Sequence, residues 1–418
     1  MRKGKPVPLD FAGARSRLRG VLKHTPLEPS ERLSDLHGFP VLLKREDLQV
    51  CRSFKVRGAF NTIAALPAAE RTKGVVAASA GNHAQGVAYA CRELGVDGRI
   101  FLPSNTPRQK RNRIAEIGRG WVDQVIVDGT FDVASAQAQL HAIEAGAVWV
   151  HPFDDDLVIA GQGTIAPEIV AALGDQELDT VLVPVGGGGL LAGIAAWFAE
   201  NQPQVRVVGV EPEGAASMQA ALAAGHPALL PKVDTFVDGT AVARVGKRSF
   251  EIVRELHLDF VTVPEGAVCS ELLDLYHSEG VIAEPAGALA SAALRIGLPH
   301  TPTGAVVAVV SGGNNDLSRY DEIAERAARY QGLRHYFLVA FQQQPGALRH
   351  FLDDVLSTDE DIILFEYTKK NNRETGPALV GIELADPADI TQLRRRMDAS
   401  PLHVEEIPAD SDLFGFLI

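Results

Sequence analysis

The stretch TVLVPVGGGGLLAGIAAWFAENQPQVRVVGV, residues 180–210, decides the fold class of this chain. It opens with an apolar run at 180–185 and passes through four glycines, Gly186, Gly187, Gly188 and Gly189. An alanine-rich segment follows at 190–200, and a second apolar run ends the stretch at 205–210. Continuous apolar runs of this length are typical of strands buried on both faces, and the segment between them is typical of a helix. The stretch therefore predicts two parallel strands joined by a helix.

The same alternation recurs along most of the chain. Strand-like runs occur at 41–44, 74–78, 99–102, 124–127 and 305–310, and helical patterns such as 82–94 lie between them. Strands that alternate with helices form parallel sheets covered by helices on both faces. The first part of the chain is thus predicted to be an α/β domain.

The order of strand-like and helical segments changes near residue 331. Strand-like segments at 336–341, 362–367, 378–384 and 402–404 now alternate with helical segments at 345–355 and 389–397. This βαββαβ order is that of the ferredoxin-like unit. We therefore predict two domains, residues 1–330 and residues 331–418.

Composition narrows the class of protein. The 418 residues carry a formal net charge of -13, which argues against a nucleic-acid partner. The three cysteines, Cys51, Cys91 and Cys269, form no CxxC pair, as expected for free thiols in a reducing cytosol. No apolar segment follows the basic start, and the strictly apolar runs fall short of the roughly 20 residues that cross a bilayer. We expect a cytoplasmic protein that binds neither membrane nor metal. The three aspartates at residues 154–156 are expected to lie in a solvated loop.

Lys55 is the first candidate for chemistry. It stands in Ser53-Phe54-Lys55-Val56-Arg57-Gly58, at the predicted start of a helix. A helix N-terminus and nearby Arg57 both disfavour the ammonium form and are expected to lower the pKa of Lys55. A neutral amine can attack an aldehyde and form a Schiff base.

The four-glycine run is the second candidate. Backbone N–H groups without Cβ atoms can curl round a phosphate at a helix N-terminus, and a side chain there would keep the phosphate away. Pyridoxal phosphate (PLP) has one aldehyde and one phosphate, so this run and Lys55 together suggest that cofactor. However, Gly187, Gly189 and Ala192, followed by Glu211, also satisfy the looser NAD-binding fingerprint. This segment alone leaves both alternatives open.

Other residues could complete a site. Ser79-Ala80-Gly81-Asn82-His83 follows a predicted strand and opens a helix, so its N–H groups form a second anion-binding turn suited to a substrate carboxylate. Asn82 could meet a ring hydroxyl or cap the helix, and His83 could act as a base or be structural. Glu284, in an apolar stretch, is predicted to be paired, functional or a helix N-terminal charge. The hydroxyl of Ser311 could meet a pyridine nitrogen.

With these residues in place, the chain resembles the fold type II PLP enzymes, and within them the biosynthetic threonine dehydratases. The resemblance covers nearly the whole chain. Its motifs are residues 24–27, 44–49, 53–59, 79–87, 161–164, 184–190, 210–212, 238–239, 283–288 and 311–314. It implies two open, twisted, mostly parallel sheets flanked by helices, with a small subdomain at about residues 45–150.

The resemblance also implies the role of each residue. Lys55 would be the Schiff-base lysine and the catalytic base, beside Phe54. Gly186, Gly187, Gly188, Gly189 and Leu190 would hold the phosphate, Asn82 the ring hydroxyl and Ser311 the pyridine nitrogen, with Glu284 also at the cofactor. Ser79, Ala80, Gly81, Asn82 and His83 would hold the substrate carboxylate.

The implied reaction is the deamination of L-threonine to 2-oxobutanoate and ammonia, the first step of isoleucine biosynthesis. The tail from Arg334 is similar to an ACT-like regulatory domain, through residues 363–367 and 372–377. Isoleucine inhibition and a homodimer or homotetramer follow from the resemblance.

Two departures separate this chain from the related serine racemases. The serine racemases carry a second serine at the position of Ala80 in this chain. Without the hydroxyl of that serine, racemisation is disfavoured. Their divalent-metal site corresponds to Glu211, Ala215 and Ser217, where the second acid is missing, so no divalent metal is expected. The alternatives are an L-serine dehydratase or racemase, an NAD-linked dehydrogenase, and a non-catalytic amino-acid sensor.

Overall fold

The computed structural model describes residues 8–367, 374–408, 411 and 414. The chain forms two compact units, Met1–Asp316 and Leu317–Ile418. Residues 372 and 373, which contribute to the ACT-like resemblance, lie outside the described residues.

The first unit contains two sheets. Its strands are β1 (Leu27–Pro29), β2 (Val41–Arg45), β3 (Val75–Ala78), β4 (Gly98–Pro103), β5 (Val122–Val127), β6 (Val148–Trp149), β7 (Leu178–Pro184), β8 (Arg206–Pro212), β9 (Asp259–Val263) and β10 (Ala305–Val310). The larger sheet has the order β1-β2-β10-β7-β8-β9 and is parallel except for β1. The smaller sheet has the order β5-β4-β3-β6 and is parallel throughout.

Helices cover these sheets. They are α1 (Phe11–Leu18), α2 (Glu31–His37), α3 (Lys55–Ala65), α4 (Ala68–Arg71), α5 (Asn82–Leu94), α6 (Arg108–Gly118), α7 (Phe131–Ala145), α8 (Asp156–Gly163), α9 (Ile165–Leu173), α10 (Gly189–Asn201), α11 (Ser217–Ala224), α12 (Lys247–Leu256), α13 (Glu265–Glu279) and α14 (Pro285–Ile296). Short 3₁₀ turns occur at Glu46–Leu48 and Glu213–Ala215.

The structure confirms the α/β prediction. Strands β7 and β8 pair in parallel, with Thr180 opposite Arg206 and Pro184 opposite Val210, and α10 connects them. All six residues of β10 are buried, as a strand between two parallel neighbours requires. The sequence did not predict β1, β6 and β9. Strands β1 and β6 have only three and two residues, which are too few for a periodic pattern.

The second unit has the predicted βαββαβ order. Its elements are α15 (Tyr320–Tyr330), β11 (Arg334–Gln342), α16 (Ala347–His350) with a π-helical turn at Phe351–Val355, β12 (Glu360–Tyr367), β13 (Thr375–Leu384), α17 (Ile390–Ala399) and β14 (His403–Glu406). The antiparallel sheet has the order β12-β13-β11-β14. Phe337, Val339 and Phe341 alternate along one face of β11 and join Phe351 and Leu393 in a common core.

Helix α15 belongs to the second unit, although the boundary predicted from the pattern lies after it. Its Glu325 accepts hydrogen bonds from Tyr336 Oη at 2.8 Å and Arg334 Nη1 at 2.6 Å, both on β11. These contacts join α15 to the antiparallel sheet. The division into a catalytic domain, residues 1–330, and a regulatory domain, residues 331–418, stays a prediction.

One described stretch, Asp156–Leu173, is long and apolar enough to cross a membrane by length and composition alone, with a mean hydropathy of 1.3. In the structure it comprises α8 and α9, and 61% of it is buried. Ile159, Ile165 and Ile169 are fully buried in the main core of the first unit. The apolar side chains of this stretch are therefore accounted for by packing within the unit.

Candidate active site

One cavity in the first unit brings together all ten residues predicted to bind the cofactor. They are Phe54, Lys55, Asn82, Gly186, Gly187, Gly188, Gly189, Leu190, Glu284 and Ser311. Most of them follow the carboxyl ends of parallel strands: Asn82 comes after β3, the glycines after β7 and Ser311 after β10. Crevices at these strand ends are where open α/β sheets bind ligands. The sheet topology therefore explains why residues far apart in sequence line one cavity.

Lys55 is the first residue of α3, and its side chain is half-buried in this cavity. Its Nζ donates to Pro152 O at 3.2 Å and lies 5.2 Å from the centre of the Phe54 ring. Burial lowers the pKa of Lys55 to about 8, while the negative charge of Glu284 opposes that shift. The amine is therefore unusually easy to deprotonate for a lysine.

The cause of this shift differs from the predicted one. Arg57 does not face Lys55, because its guanidinium is held by Glu46 and Glu168. Two carboxylates balance its charge, so Arg57 has little influence on the amine. Loss of hydration in the cavity lowers the pKa of Lys55 instead.

The protein's own packing also requires glycine in this turn, in addition to the space predicted for a phosphate. A Cβ at Gly187 would lie 2.3 Å from the Phe153 ring, and one at Gly189 would lie 2.5 Å from Phe153 O. A Cβ at Gly186 would meet the backbone of Thr240 at 2.9 Å. Gly188 has φ +93°, a conformation that side chains disfavour. No larger residue fits any of these positions without movement.

This turn also suits an anion. Helix α10 begins at Gly189, and its N-cap residue Gly188 has no side chain to bond the first N–H groups of the helix. Unpaired N–H groups and the positive end of the helix dipole attract phosphate. The residues present therefore fit a phosphate-bearing cofactor.

Asn82 and Glu284, on another wall, belong to a hydrogen-bonded chain of polar side chains that continues to Asn314 behind the cavity lining. Asn82 Nδ2 donates to Glu284 Oε1 at 2.6 Å, and Asn314 Nδ2 donates to Asn82 Oδ1 at 2.7 Å. Burial raises the pKa of Glu284 to about 7, with a further increase from Asp238. Asn314 thus fixes which end of the Asn82 amide faces Glu284.

Ser311 is buried, and its hydroxyl donates to Ala286 O at 3.0 Å. A hydroxyl has one hydrogen, so Ser311 can donate either to this carbonyl or to a ring nitrogen, but not to both at once. It carries no charge, so it does not favour a protonated ring as a carboxylate would.

Of the five residues predicted to hold the substrate carboxylate, Asn82 lines the cavity, while Ser79, Ala80, Gly81 and His83 are not among its lining residues. Ser79 Oγ accepts from Gly81 N at 3.2 Å, which shapes the turn. His83 Nε2 lies 2.9 Å from Val150 O, and burial lowers the pKa of His83 to about 3. A histidine that stays neutral and bonded to the backbone favours the structural interpretation over a catalytic base.

Comparison with known proteins identifies the family. Residues 18–312 match the pyridoxal-phosphate dependent enzymes, and residues 325–417 match the C-terminal regulatory domain of threonine dehydratase. A biosynthetic L-threonine dehydratase of Mycobacterium tuberculosis is 52% identical over 411 residues, which cover 98% of this chain and 95% of that protein. The chain belongs to the biosynthetic threonine dehydratase family.

Other members and structural relatives agree. The dehydratase of the same name from Bacillus subtilis is 47% identical and covers 97% of this chain and 96% of its own length. Threonine deaminase isoform 2 of Solanum lycopersicum, in its processed form, superposes with a TM-score of 0.71 and 39% identity, covering 76% of this chain and 92% of that chain. Maize serine racemase reaches a TM-score of 0.70 at 30% identity, covering 78% and 99%. Fold similarity alone therefore does not separate dehydratase from racemase.

The NAD-binding alternative does not agree with this family membership or with the position of Glu211. That side chain is fully buried and accepts from Met218 N at 2.6 Å and Gln219 N at 3.0 Å, at the start of α11. Burial raises the pKa of Glu211 to about 7. A carboxylate occupied in this way is not available for the hydroxyls of a ribose.

Among the described residues, no group of three or more His, Cys, Asp or Glu side chains could hold a metal ion. At the positions compared with the racemase metal site, Glu211 caps α11 and Ser217 Oγ is buried with no hydrogen-bond partner in the structure. The expectation of no divalent metal stays a prediction.

Sequence reasoning missed the segment His151-Pro152-Phe153-Asp154-Asp155-Asp156, whose aspartates it assigned to a solvated loop. Asp155 accepts from Leu157 N and Val158 N and caps α8. Asp154 accepts from backbone N–H groups at the start of α12. An aspartate directly before an apolar helical pattern is an N-cap signal, so Asp155 could have been found. The role of Asp154 depends on a helix more than ninety residues away and could not.

Proposed function

We propose that this protein deaminates L-threonine to 2-oxobutanoate and ammonia with pyridoxal phosphate as cofactor. The observation that carries the proposal is the position of Lys55. Its amine lies in the same cavity as the glycine turn, and no ion pair with a carboxylate joins it to any described residue. An easily deprotonated amine and an anion-binding helix N-terminus are what an aldehyde-bearing phosphate needs.

Each wall of the cavity has a proposed task. The glycine turn and Leu190 would hold the phosphate, Lys55 the aldehyde, Asn82 the ring hydroxyl and Ser311 the ring nitrogen. When bound, the cofactor supplies an electron-accepting ring that makes the Cα proton of the substrate acidic. The neutral Lys55 amine would then remove that proton as general base. Glu284 and Asn314 hold the Asn82 amide in place for this arrangement.

Ala80 supports a dehydratase rather than a racemase. Racemisation needs a second acid/base group that returns the proton to the opposite face of the substrate. Ala80 has no hydroxyl and packs against the apolar core of the smaller sheet. Ser79 next to it lines no part of the cavity, and its Oγ accepts a hydrogen bond from Gly81 N. The favoured outcome is therefore loss of the β-hydroxyl of threonine.

The test is to add L-threonine to the purified protein and follow ammonia and 2-oxobutanoate together with the visible absorbance. We expect both products in equal amounts and a change in the cofactor band. Adding D-threonine serves as a control and should give neither product. A colourless protein that releases no ammonia from L-threonine or L-serine would contradict the proposal.

The lowered pKa of Lys55 leads to a pH prediction. An amine with a pKa of about 8 is mainly protonated below that pH and mainly neutral above it. We expect the rate at which cofactor-free protein captures pyridoxal phosphate to rise through about pH 8 and then level off, whereas an ordinary lysine needs about pH 10. Initial rates of absorbance change at several pH values measure this. A rate that still climbs steeply near pH 10 would show that the amine is not perturbed.

We also propose that isoleucine inhibits the enzyme through the second unit, which matches a regulatory domain. A chain ending at Asp316 should keep its turnover of threonine and lose the inhibition, because the effector site is removed with the second unit. Ending the chain there also removes α15, whose buried Ile323 and Ala327 would otherwise lose their packing partners. Inhibition curves of both chains decide the matter. Unchanged inhibition of the shorter chain would place the effector site in the first unit.

Assembly and location complete the proposal. We propose a homodimer or homotetramer in the cytoplasm, in keeping with the biosynthetic role of the relatives. Light scattering on the purified full-length chain tests the first of these statements.

A further inference from the structure

We propose that His151 is a positioning residue that fixes the shape of the segment 151–154 and, through it, the glycine turn and the Lys55 amine. The inference rests on the proposed function, because it concerns the anion-binding turn of that site. His151 itself is not among the residues that line the cavity.

The ring of His151 accepts two backbone hydrogen bonds from its own segment. Nδ1 lies 3.2 Å from Phe153 N and 2.8 Å from Asp154 N. A nitrogen that accepts carries no proton, so the ring is neutral, with its hydrogen on Nε2. The ring also meets the Phe153 ring edge-on at 4.7 Å. His151 therefore does here what the side chain of an asparagine does in an Asx turn, where it bonds the backbone two residues further on.

The turn that results presents three groups in three directions. Pro152 O accepts from Lys55 Nζ at 3.2 Å. The ring and carbonyl of Phe153 fill the space beside Gly187 and Gly189, where any Cβ would overlap them. The Asp154 carboxylate accepts from the backbone N–H groups of the first three residues of α12, at 2.9, 2.8 and 3.2 Å: Lys247, Arg248 and Ser249.

These contacts connect the lysine to the phosphate end of the cavity. Phe153 supports the glycine turn from one side, and Gly246 N, next to α12, donates to Gly187 O at 3.0 Å from the other. If His151 loses its acceptor, Phe153 N and Asp154 N lose their partner and the segment is free to rearrange. The glycine turn would then lose the neighbour that holds its N–H groups in place.

Binding of inorganic phosphate to the full-length, cofactor-free protein tests the inference, because phosphate reports on the turn without any catalysis. Calorimetric titration would compare wild type with His151→Leu, which removes the acceptor, and His151→Asn, which keeps one. We expect His151→Leu, which leaves Phe153 N and Asp154 N without their acceptor, to weaken phosphate binding by about tenfold or more. We expect His151→Asn to stay within about threefold of wild type.

A second pair of variants covers the case in which His151→Leu does not fold. Asp154→Ala removes the link to α12 and should weaken phosphate binding as His151→Leu does. Asp156→Ala is the matched control, since Asp156 pairs with the side chain of Arg248 at 2.6 Å in a half-exposed ion pair, whereas the backbone N–H of Arg248 is bonded by Asp154. It should bind phosphate as wild type does.

The outcomes separate this inference from the proposed function. If wild type binds neither phosphate nor pyridoxal phosphate, both fail. If wild type binds them and His151→Leu and Asp154→Ala bind phosphate equally well, the positioning role alone is wrong. Equal losses in His151→Leu and His151→Asn would show that the imidazole ring, and not its acceptor nitrogen, matters, and would also overturn the inference.

Discussion

Replacing Lys55 with alanine will reduce threonine deamination by at least about 10³-fold, because the variant loses both the amine that binds the cofactor aldehyde and the proposed general base. The fold should survive. Lys55 is half-buried and donates to Pro152 O, and the buried carboxylate of Glu284 keeps its hydrogen bond from Asn82 Nδ2 when Lys55 is removed. Ammonia release from L-threonine under saturating pyridoxal phosphate measures the effect, and circular dichroism checks the fold.

Lys73→Ala is the matched control for this prediction. Lys73 is an exposed lysine of the same unit, and its removal should leave turnover unchanged. A Lys55→Ala variant that is folded, binds the cofactor in the normal way and keeps more than about a tenth of wild-type activity would refute the assignment of Lys55. Restoration of part of the activity by added small amines would support the general-base role.

The second large effect is on stability. Arg57→Met should lower the free energy of unfolding of the first unit by about 3 kcal/mol or more. The Arg57 guanidinium donates to Glu46 at 2.8 Å and to Glu168 at 2.6 Å, and both Arg57 and Glu46 are essentially fully buried. Burial alone would lower the pKa of Arg57, but these carboxylates outweigh that effect and raise it. Methionine restores part of the volume and none of the charge.

The size of this effect follows from the charges that remain. Lys44 Nζ also donates to Glu168, at 2.7 Å, so the cluster contains two cations and two anions. When Arg57 is removed, Thr25 Oγ1 is, among the described residues, the one side-chain hydrogen-bond donor that Glu46 keeps. A buried carboxylate that loses its cation must either pay for desolvation or take up a proton. We therefore expect the loss to be larger at neutral pH than in mild acid.

Urea unfolding followed by tryptophan fluorescence measures the change in the free energy of unfolding caused by Arg57→Met. All three tryptophans, Trp121, Trp149 and Trp197, lie in the first unit, so the signal reports on that unit. Arg113→Met is the control, because Arg113 makes an exposed pair with Glu116 at 3.5 Å, and such pairs contribute little. A midpoint for Arg57→Met equal to that of the control would show that the cluster is not a stabilising element.

The Arg57 cluster also explains how the catalytic helix is held. Arg57 lies two residues after Lys55 on α3, Glu46 follows β2, and Glu168 is on α9. The cluster thus ties the helix that presents Lys55 to the larger sheet and to a neighbouring helix. We expect Arg57→Met to weaken cofactor binding as well as stability, since the start of α3 would be less well fixed.

Much of the fold could be predicted from sequence. The apolar runs at 180–185 and 305–310 correspond to strands, and the ferredoxin-like order of the tail is confirmed by the sheet order β12-β13-β11-β14. Strand β6 was not predicted, because its two residues are too few to show an alternation of apolar and polar side chains. Among the site residues, the ten assigned to the cofactor lie together, whereas the turn at Ser79 contributes only Asn82 to the cavity. His83, which the sequence left open between base and structural residue, is bonded to the backbone of Val150.

The sequence by itself determined the features that are local. Apolar periodicity specifies which segments become strands or helices, and the glycine run and Lys55 are recognisable because each stands next to the element that positions it. Only the tertiary structure decided why glycine is needed in the turn and why the Lys55 amine is easily deprotonated. The Phe153 ring excludes any side chain at position 187. Burial in the cavity, rather than Arg57, lowers the pKa of Lys55. Asp154 caps a helix that is remote in sequence. These effects depend on distances between segments that only packing brings together, and dehydration and steric exclusion act through such distances and not along the chain.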